Sequence, residues 1–320
     1  MRVVVLGAGV VGVTTAYYLS ERGHSVTVVD RAESVASGAS SGNGGQLSYS
    51  FTDAMASPAL LSKAPKMMTG LDPAFYVRPP LNTQLVCWGQ AFLRQCTGHQ
   101  NRQNTIAILQ LALRSASLMT ELRTQTGLEF SFREAGKLVL LAGKPALTEA
   151  AQVCTLKRQY GCDARVVTFA QAAEIEPALH HFENEYAGAV YSKSDQVGDS
   201  LEFTTGLSKW LATNRDTEFR LNTKVQKIVT RGDKLAAVET DQGIIKADAV
   251  VVCMGAWSGK LLDPLGIKTN IYPMRGYSVT LPASETSNSV SITDPGRKIV
   301  FSRLGDDIRI AGFADFVGFR

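Results

Sequence analysis

A chain of 320 residues, 45% apolar and 19% charged, has the composition of a globular protein that buries a full core. Its net charge of +4 is spread along the chain without a run of five or more basic residues, which excludes a nucleic-acid footprint. No apolar run reaches the ~20 residues needed to span a membrane, and at about 100–200 residues per domain the length allows two domains or one large one.

Arg2 and the apolar run after it could pass for a signal peptide, but Gly7, Gly9 and Gly12 break the run. Val3 to Leu6 reads as a strand buried on both faces. A helix is predicted over 10–22 with Gly23 as its stop, then a strand over 25–29 ending at Asp30. Residues 31–50, RAESVASGASSGNGGQLSYS, are too long for an ordinary connection and read as a functional loop or a disordered one. Residues 51–100 mix prolines with Met67, Met68, Phe75, Tyr76, Trp88 and Phe92. The 60–96 part reads first as a core or subdomain stripe, and alternatively as an apolar patch that docks on a membrane near quinone.

Apolar residues at Ile106, Leu109, Leu113, Ala116 and Leu122 predict an amphipathic helix over 101–126. A strand is predicted over 137–142, a helix over 145–160 ended by Gly161, and a loop leading into a helix within 194–212. Strands are predicted in 217–252 and again beyond 270. The interleaving gives an α/β or α+β class with a parallel sheet starting at residue 3. Five cysteines without a CxxC predict reduced, mostly buried thiols of a cytosolic protein and no metal site.

Gly7-Ala8-Gly9-Val10-Val11-Gly12 fits G-x-G-x-x-G between strand and helix. Gly7 permits the tight turn, Gly9 lets backbone approach a pyrophosphate, and Gly12 lets the helix pack close to the strand. Asp30, 18 residues beyond Gly12, can accept the ribose hydroxyls of an adenosine, and an acid there disfavours a 2′-phosphate. The turn alone leaves NAD and FAD open. The Ser/Gly-rich loop after Asp30 and the segment KADAVVVCMGAWS at 246–258, more than 200 residues downstream, favour FAD.

The stretches VVVLGAGVVGVTTAYYL, ASGASSGNGGQLS, EIEPAL, DQVGDSLEFT, IIKADAVVVCMGAWS, YPMRGYSVTLP and IRIAGFADFVGF resemble, in order, the FAD-dependent amine oxidoreductases of the D-amino-acid oxidase and glycine oxidase type. Within that family the resemblance is closest to the bacterial D-amino-acid dehydrogenase group, to which DQVGDSLEFT and YPMRGYSVTLP are the more specific. It implies an FAD-binding Rossmann-like parallel-sheet domain with a mixed or antiparallel-sheet substrate domain, the glutathione-reductase-type arrangement. The expected FAD domain takes 1–50, part of 140–225 and 246–262; the expected substrate or cap domain takes 51–139 and 263–320.

By resemblance, Gly7, Ala8, Gly9 and Gly12 hold the FAD pyrophosphate, with Val10 and Val11 at the helix N-terminus. Asp30 and Arg31 sit on the adenosine side. Ser40, Gly44, Gly45 and Gln46 run along the ribityl chain, Val225 offers backbone to adenine, and Gly255 and Trp257 line the cofactor. Val225 and Trp257 also read as ordinary strand and core residues, and Gly44-Gly45 as an ordinary turn.

The implied reaction is oxidative deamination of a D-amino acid such as D-alanine, with electrons passed to a quinone or carrier. A glycine or amine oxidase using dioxygen is the alternative, and a catalytically incomplete remnant is another. The catalytic residues are not assigned. Tyr49, Tyr272, Arg275 and Tyr277 are the substrate-side candidates, each also readable as structural, and Arg275 as an acid's partner. His24, His99 and His180-His181, the last pair in a polar loop, lack catalytic companions. The substrate arginine and the last FAD-binding segment are expected beyond Arg320, in a chain cut short. The expected location is cytoplasmic, with peripheral membrane contact left open.

Overall fold

The computed structural model describes residues 1–69, 75–77, 83–182, 185–232 and 234–319. In chain order the first elements are β1 (Arg2–Leu6), α1 (Val10–Glu21), β2 (Ser25–Val29), β3 (Gln46–Leu47), α2 (Pro58–Met68), β4 (Phe75–Val77), α3 (Thr83–Arg94) and α4 (Gly98–Thr126). Next come β5 (Lys137–Leu141), α5 (Lys144–Arg158), β6 (Arg165–Thr168), α6 (Phe169–Ile175), β7 (Gly188–Ser192), β8 (Gln196–Val197) and α7 (Ser200–Asn214). The rest is β9 (Thr217–Arg220), β10 (Val225–Arg231), β11 (Lys234–Thr240), β12 (Gly243–Lys246), β13 (Ala249–Val252), α8 (Ser258–Leu262), β14 (Arg275–Pro282), β15 (Ser291–Asp294), β16 (Ile299–Leu304) and β17 (Asp307–Phe316). They divide between two compact units, one of Met1–Gly42, Thr126–Phe130 and Ser200–Ile271, the other of Asn43–Gln125, Ser131–Asp199 and Tyr272–Arg320.

The first unit is built on a parallel sheet ordered β13-β1-β2-β9. Val3 to Leu6 are at most 2% exposed, as a central strand covered on both faces requires. Val4 and Leu6 pack with Val238, Ile245 and Leu261 beneath the antiparallel sheet β10-β11-β12. The buried stripe of α1, Gly12, Val13, Ala16, Tyr17 and Ser20, has the 3.6-residue spacing of a covering helix. Tyr17 meets Trp210 of α7 at 5.7 Å between ring centroids.

The second unit carries a mixed sheet ordered β14-β17-β16-β15-β5-β7-β6, with β4 also paired to β17. Leu138 and Leu140 of β5 alternate into a core with Val167, Ala172, Leu179, Ala189 and Ile292. A capping box at Thr168 and Gln171 starts α6. Leu109 of α4 is fully buried against Cys154 and Cys162.

The units cut the chain differently from the expected domains. Residues 140–199 lie in the second unit because Lys137 to Val139 pair in parallel with Ser291 to Thr293 and β5 pairs with β7. Such partners are too distant in sequence for local pattern to reveal. Residues 43–50 also belong to the second unit, and 263–271 to the first. His180-His181 lies in a short 3-10 turn, Pro177–Phe182, rather than a loop, and both histidines are exposed. In the 60–96 stripe, Met67 is buried, and Trp88 stacks on Phe92 at 5.1 Å and meets Phe316 at a tilt at 5.3 Å, so these residues pack inward. The side chains of Met68, Phe75 and Tyr76 lie outside the described residues. Cys96, Cys154 and Cys162 are buried, Cys253 half-buried and Cys87 exposed, all as free thiols. Among the described residues no helix is long and apolar enough to cross a membrane.

Candidate functional site

In the first unit, the loops following β1, β2 and β13 gather at the carboxyl ends of these strands, where an open parallel sheet leaves its ligand crevice. The Gly7 N–H donates to the Val29 carbonyl at 2.8 Å, and Gly7 holds φ +107°. A Cβ there would collide with the Cys253 carbonyl oxygen and lie 2.9 Å from its carbon. On Gly12 it would overlap the Gly7 carbonyl oxygen and lie 2.9 Å from that carbon. The fold itself therefore requires both glycines.

Gly9 differs. It is the N-cap of α1 at φ −75°, a conformation open to any residue, and a Cβ would meet only the Ser40 Oγ, at 3.3 Å. Bare backbone at a helix N-terminus, with half-exposed Gly9 and Val10 and Val11 63% exposed, makes a cradle suited to an anion.

The Asp30 carboxylate closes the cradle's other side. Its Oδ2 accepts from the Ala8 N–H at 2.7 Å and its Oδ1 from the Ala32 N–H at 2.9 Å. A carboxylate offers about four acceptor positions, so these two bonds leave capacity for ribose hydroxyls. The 31–42 loop folds back rather than running free: Ala36 N–H donates to the Ala8 carbonyl at 2.9 Å, and Ser40 Oγ accepts from the Val10 N–H at 3.0 Å. Among the described residues nothing takes the Ser40 hydroxyl hydrogen, which can donate to a ligand. Thr223 N–H donates to the Asp30 carbonyl and Asn222 N–H to that of Ala32, both at 2.8 Å, which brings the start of β10 alongside. Val225 packs its side chain into the core, and a bulge follows between Val225 and Lys227. Cys253 N–H donates to the Leu6 carbonyl at 2.7 Å, placing Gly255 (φ +53°) beside the glycine turn. Arg31 does not extend alone: its guanidinium lies 4.6 Å from the Trp257 ring centroid, and the Lys260 ammonium lies at the same distance. The donors, the cradle and the spare carboxylate capacity fit a dinucleotide.

Gly44, Gly45 and Gln46 belong to the second unit. A Cβ on Gly44 would lie 3.0 Å from Val300, and one on Gly45 (φ +70°) 2.9 Å from Leu304. The Gln46 carboxamide is saturated. Its Nε2 donates to Ser291 Oγ and the Ile292 carbonyl, at 2.6 and 3.2 Å. Its Oε1 accepts from Lys137 Nζ and Thr293 Oγ1, at 2.5 and 3.2 Å. The Gln46 side chain is fully used by Lys137 of β5 and by Ser291, Ile292 and Thr293 of β15, leaving only its backbone for a ligand.

Ionisable side chains that the sequence did not single out hold this loop. Lys137, 1% exposed, also donates to Ser48 Oγ at 3.0 Å, and burial lowers its pKa to about 8. Asp195 Oδ1 accepts from the N–H groups of Tyr49 and Ser50, both at 2.9 Å, and its Oδ2 from Ser50 Oγ at 2.7 Å. Burial raises the Asp195 pKa, against the pull of the Ser50 hydrogen bonds. Lys157 donates to the Ser50 carbonyl at 2.9 Å and to Asp53 at 2.8 Å. Arg309 donates to the Asn43 carbonyl at 2.9 Å and to Asp199 at 3.2 Å. Glu176, in EIEPAL, accepts on one oxygen from Ser289 N–H, Ser289 Oγ and Val290 N–H. Charged residues inside the quoted motifs DQVGDS and IRIAG therefore build the loop's support, while Glu176 of EIEPAL holds the chain that enters β15.

The substrate-side candidates separate. Tyr49 is buried, donates to Gln196 Oε1 at 3.1 Å, and burial pushes its pKa up to about 12. Tyr272 is buried with Leu85, Trp88 and Phe316. Both are committed to packing. Arg275 and Tyr277 lie exposed on β14, Arg275 opposite Asp315, with Tyr277 Oη donating to the Asp315 carboxylate at 2.6 Å, which raises the phenol's pKa.

Comparison with known proteins adds to this geometry. A family model described as FAD dependent oxidoreductase (DAO) matches residues 2–320. The D-amino acid dehydrogenase of Dechloromonas aromatica is 38% identical over 326 residues, covering 100% of this chain and 78% of that protein. That of Paramagnetospirillum magneticum is 37% identical over 322 residues, covering 100% of this chain and 76% of the relative. Among solved structures, glycine oxidase from Geobacillus kaustophilus superposes with a TM-score of 0.75 at 21% identity, over 100% of this chain and 73% of its own. L-proline dehydrogenase from P. horikoshii gives 0.70 at 21%, over 100% and 71%.

Proposed function

This chain belongs to the FAD-dependent oxidoreductase family, and from that premise we propose that it oxidises D-amino acids to 2-oxo acids and ammonia. The observation that carries this reading is the 38% and 37% identity, over the whole chain, to relatives that are D-amino acid dehydrogenases. Bound FAD supplies the two-electron sink for the hydride that leaves Cα, after which water converts the imino acid to the 2-oxo acid and ammonia. The protein binds and orients. The N-terminal amides of α1 and the Ser40 hydroxyl bear the pyrophosphate, and bare Gly9 leaves room for it. Asp30 takes ribose hydroxyls with its spare acceptor positions, and Val225 offers backbone to adenine. Gly255 and Trp257 border the site with Arg31. Gly44, Gly45 and Gln46 present backbone toward the ribityl chain. Arg275, exposed and with a planar fork of donors, is the substrate-carboxylate candidate, with Tyr277 beside it.

We take the electron acceptor to be a quinone or a carrier, reached by peripheral contact with a membrane. In support, residues 54–120 hold six Lys or Arg and a single acid, Asp72. The helices of this stretch expose Val86, Leu93, Ile108 and Leu111. The likeness to glycine oxidase keeps dioxygen as the rival acceptor.

The test is anaerobic mixing of the reconstituted protein with D-alanine, L-alanine or glycine while the visible flavin band is followed. Bleaching by D-alanine alone supports the reading. Bleaching by glycine alone, with hydrogen peroxide formed in air, supports the oxidase instead.

A further inference from the structure

Lys137 holds an ammonium in the interior, 1% exposed, and among the described residues no carboxylate lies within ion-pair distance of it. A buried, unpaired charge is costly, so it persists where hydrogen bonds to it fix something specific. Its described partners are Gln46 Oε1, on the short strand β3, and Ser48 Oγ, just after it, with the Phe51 ring centroid 5.2 Å away. Gln46 in turn is bonded to three residues of β15, Ser291, Ile292 and Thr293. Lys137 thus ties both Gln46 and Ser48 to β5, beside the direct bonds of Gln46 to β15.

We propose that Lys137 is a positioning residue for the cofactor loop: its buried ammonium locks Gln46 and Ser48, and so keeps the 44–48 backbone in the shape that receives FAD. This inference rests on the reading above that residues 44–46 face the cofactor through their backbone. Losing the proton removes a charged donor from both bonds and slackens the loop. The ionisable groups on the elements around the ammonium are few. Asp195, ahead of β8, favours the charged form electrostatically. Asp163 is bonded to Ser192 and Ser194 beside β7. Tyr49, in the same loop, stays neutral because its pKa is pushed up to about 12. Gln46, Ser48, Ser291 and Thr293 carry no charge.

The experiment measures FAD affinity by fluorescence titration of the apoprotein at several pH values, for wild type, Lys137→Met and Lys137→Arg. Wild type is expected to bind FAD about tenfold more weakly at the alkaline end, with a midpoint near 8, one charge-assisted bond's worth. Lys137→Met should bind weakly at every pH with a flat profile. Lys137→Arg, which keeps its charge, should also be flat but tighter than the methionine variant. A lysine that merely stabilised the fold would alter denaturation midpoints and leave the affinity profile unmoved. A flat wild-type profile, which needs no variant to fold, or a wild-type slope retained by Lys137→Met, overturns the proposal. Failure of wild type to bind FAD at any pH overturns the cofactor reading itself, and with it this inference.

Discussion

Gly9 and Gly12 both belong to the same glycine turn, yet the structure predicts that alanine at each fails differently. On Gly12 the new methyl overlaps the Gly7 carbonyl oxygen, so α1 must move by about an ångström against a close-packed core, at a cost of about 3 kcal/mol or more. On Gly9 the methyl meets only a rotatable hydroxyl at 3.3 Å, and the backbone suits alanine. The loss of unfolded-state freedom favours that variant by about 0.4–1 kcal/mol, against a small cost for turning Ser40 aside, so its stability should stay within about 1 kcal/mol of wild type. The methyl nonetheless stands where an anion would approach the amides of α1. Forfeiting one charge-assisted bond of about 1.5–3 kcal/mol weakens FAD binding by about 10- to 150-fold. Urea denaturation of the apoproteins and FAD titration at fixed pH separate the two effects. Gly9→Ala with wild-type FAD affinity, or as unstable as Gly12→Ala, would refute the division into a ligand glycine and a fold glycine.

Other substitutions probe the same site and its support. Asp30→Ala removes the acceptors of the Ala8 and Ala32 amides, and should lower stability by about 2 kcal/mol and FAD affinity by about 100-fold, read by denaturation and titration. Glu176→Ala leaves the Ser289 and Val290 amides without their buried carboxylate, and should cost about 3–5 kcal/mol in urea, with Glu176→Gln recovering part of it. Lys137 gives a pH signature with a definite sign. Its folded pKa of about 8 lies below the unfolded 10.5, so the unfolded chain holds more protons between these values and wild-type stability gains as pH rises through the window. The excess stability of apo Lys137→Met over wild type should therefore shrink by about 3 kcal/mol between neutral pH and the top of that window, and a constant difference in urea titrations would contradict the burial argument.

The first unit's site was legible because its information is local. Strand, glycine turn, helix and acid follow one another within 30 residues, and each requirement, such as Gly7 at φ +107°, is met by a residue type readable in order. The fold class also agrees with what the sequence implied. The second unit's contribution was not legible in the same way. Nothing in KLVLLA marks Lys137 as a buried cation, because its environment comes from Gln46, 91 residues earlier, and from a strand more than 150 residues later. In sequence the Gln46 carboxamide and the Tyr49 and Tyr272 phenols are open to a ligand, whereas in the fold the carboxamide carries four partners and both tyrosines are buried.

By itself, the amino-acid order determined that a dinucleotide turn exists, which of its residues must lack a side chain, and which carboxylate stands across from it. Only the tertiary structure decided which polar groups are already consumed and which remain free to bind. Hydrogen-bond capacity and burial are properties of residues brought together from distant parts of the chain, whereas backbone conformation in a tight turn is set by the few residues that form it.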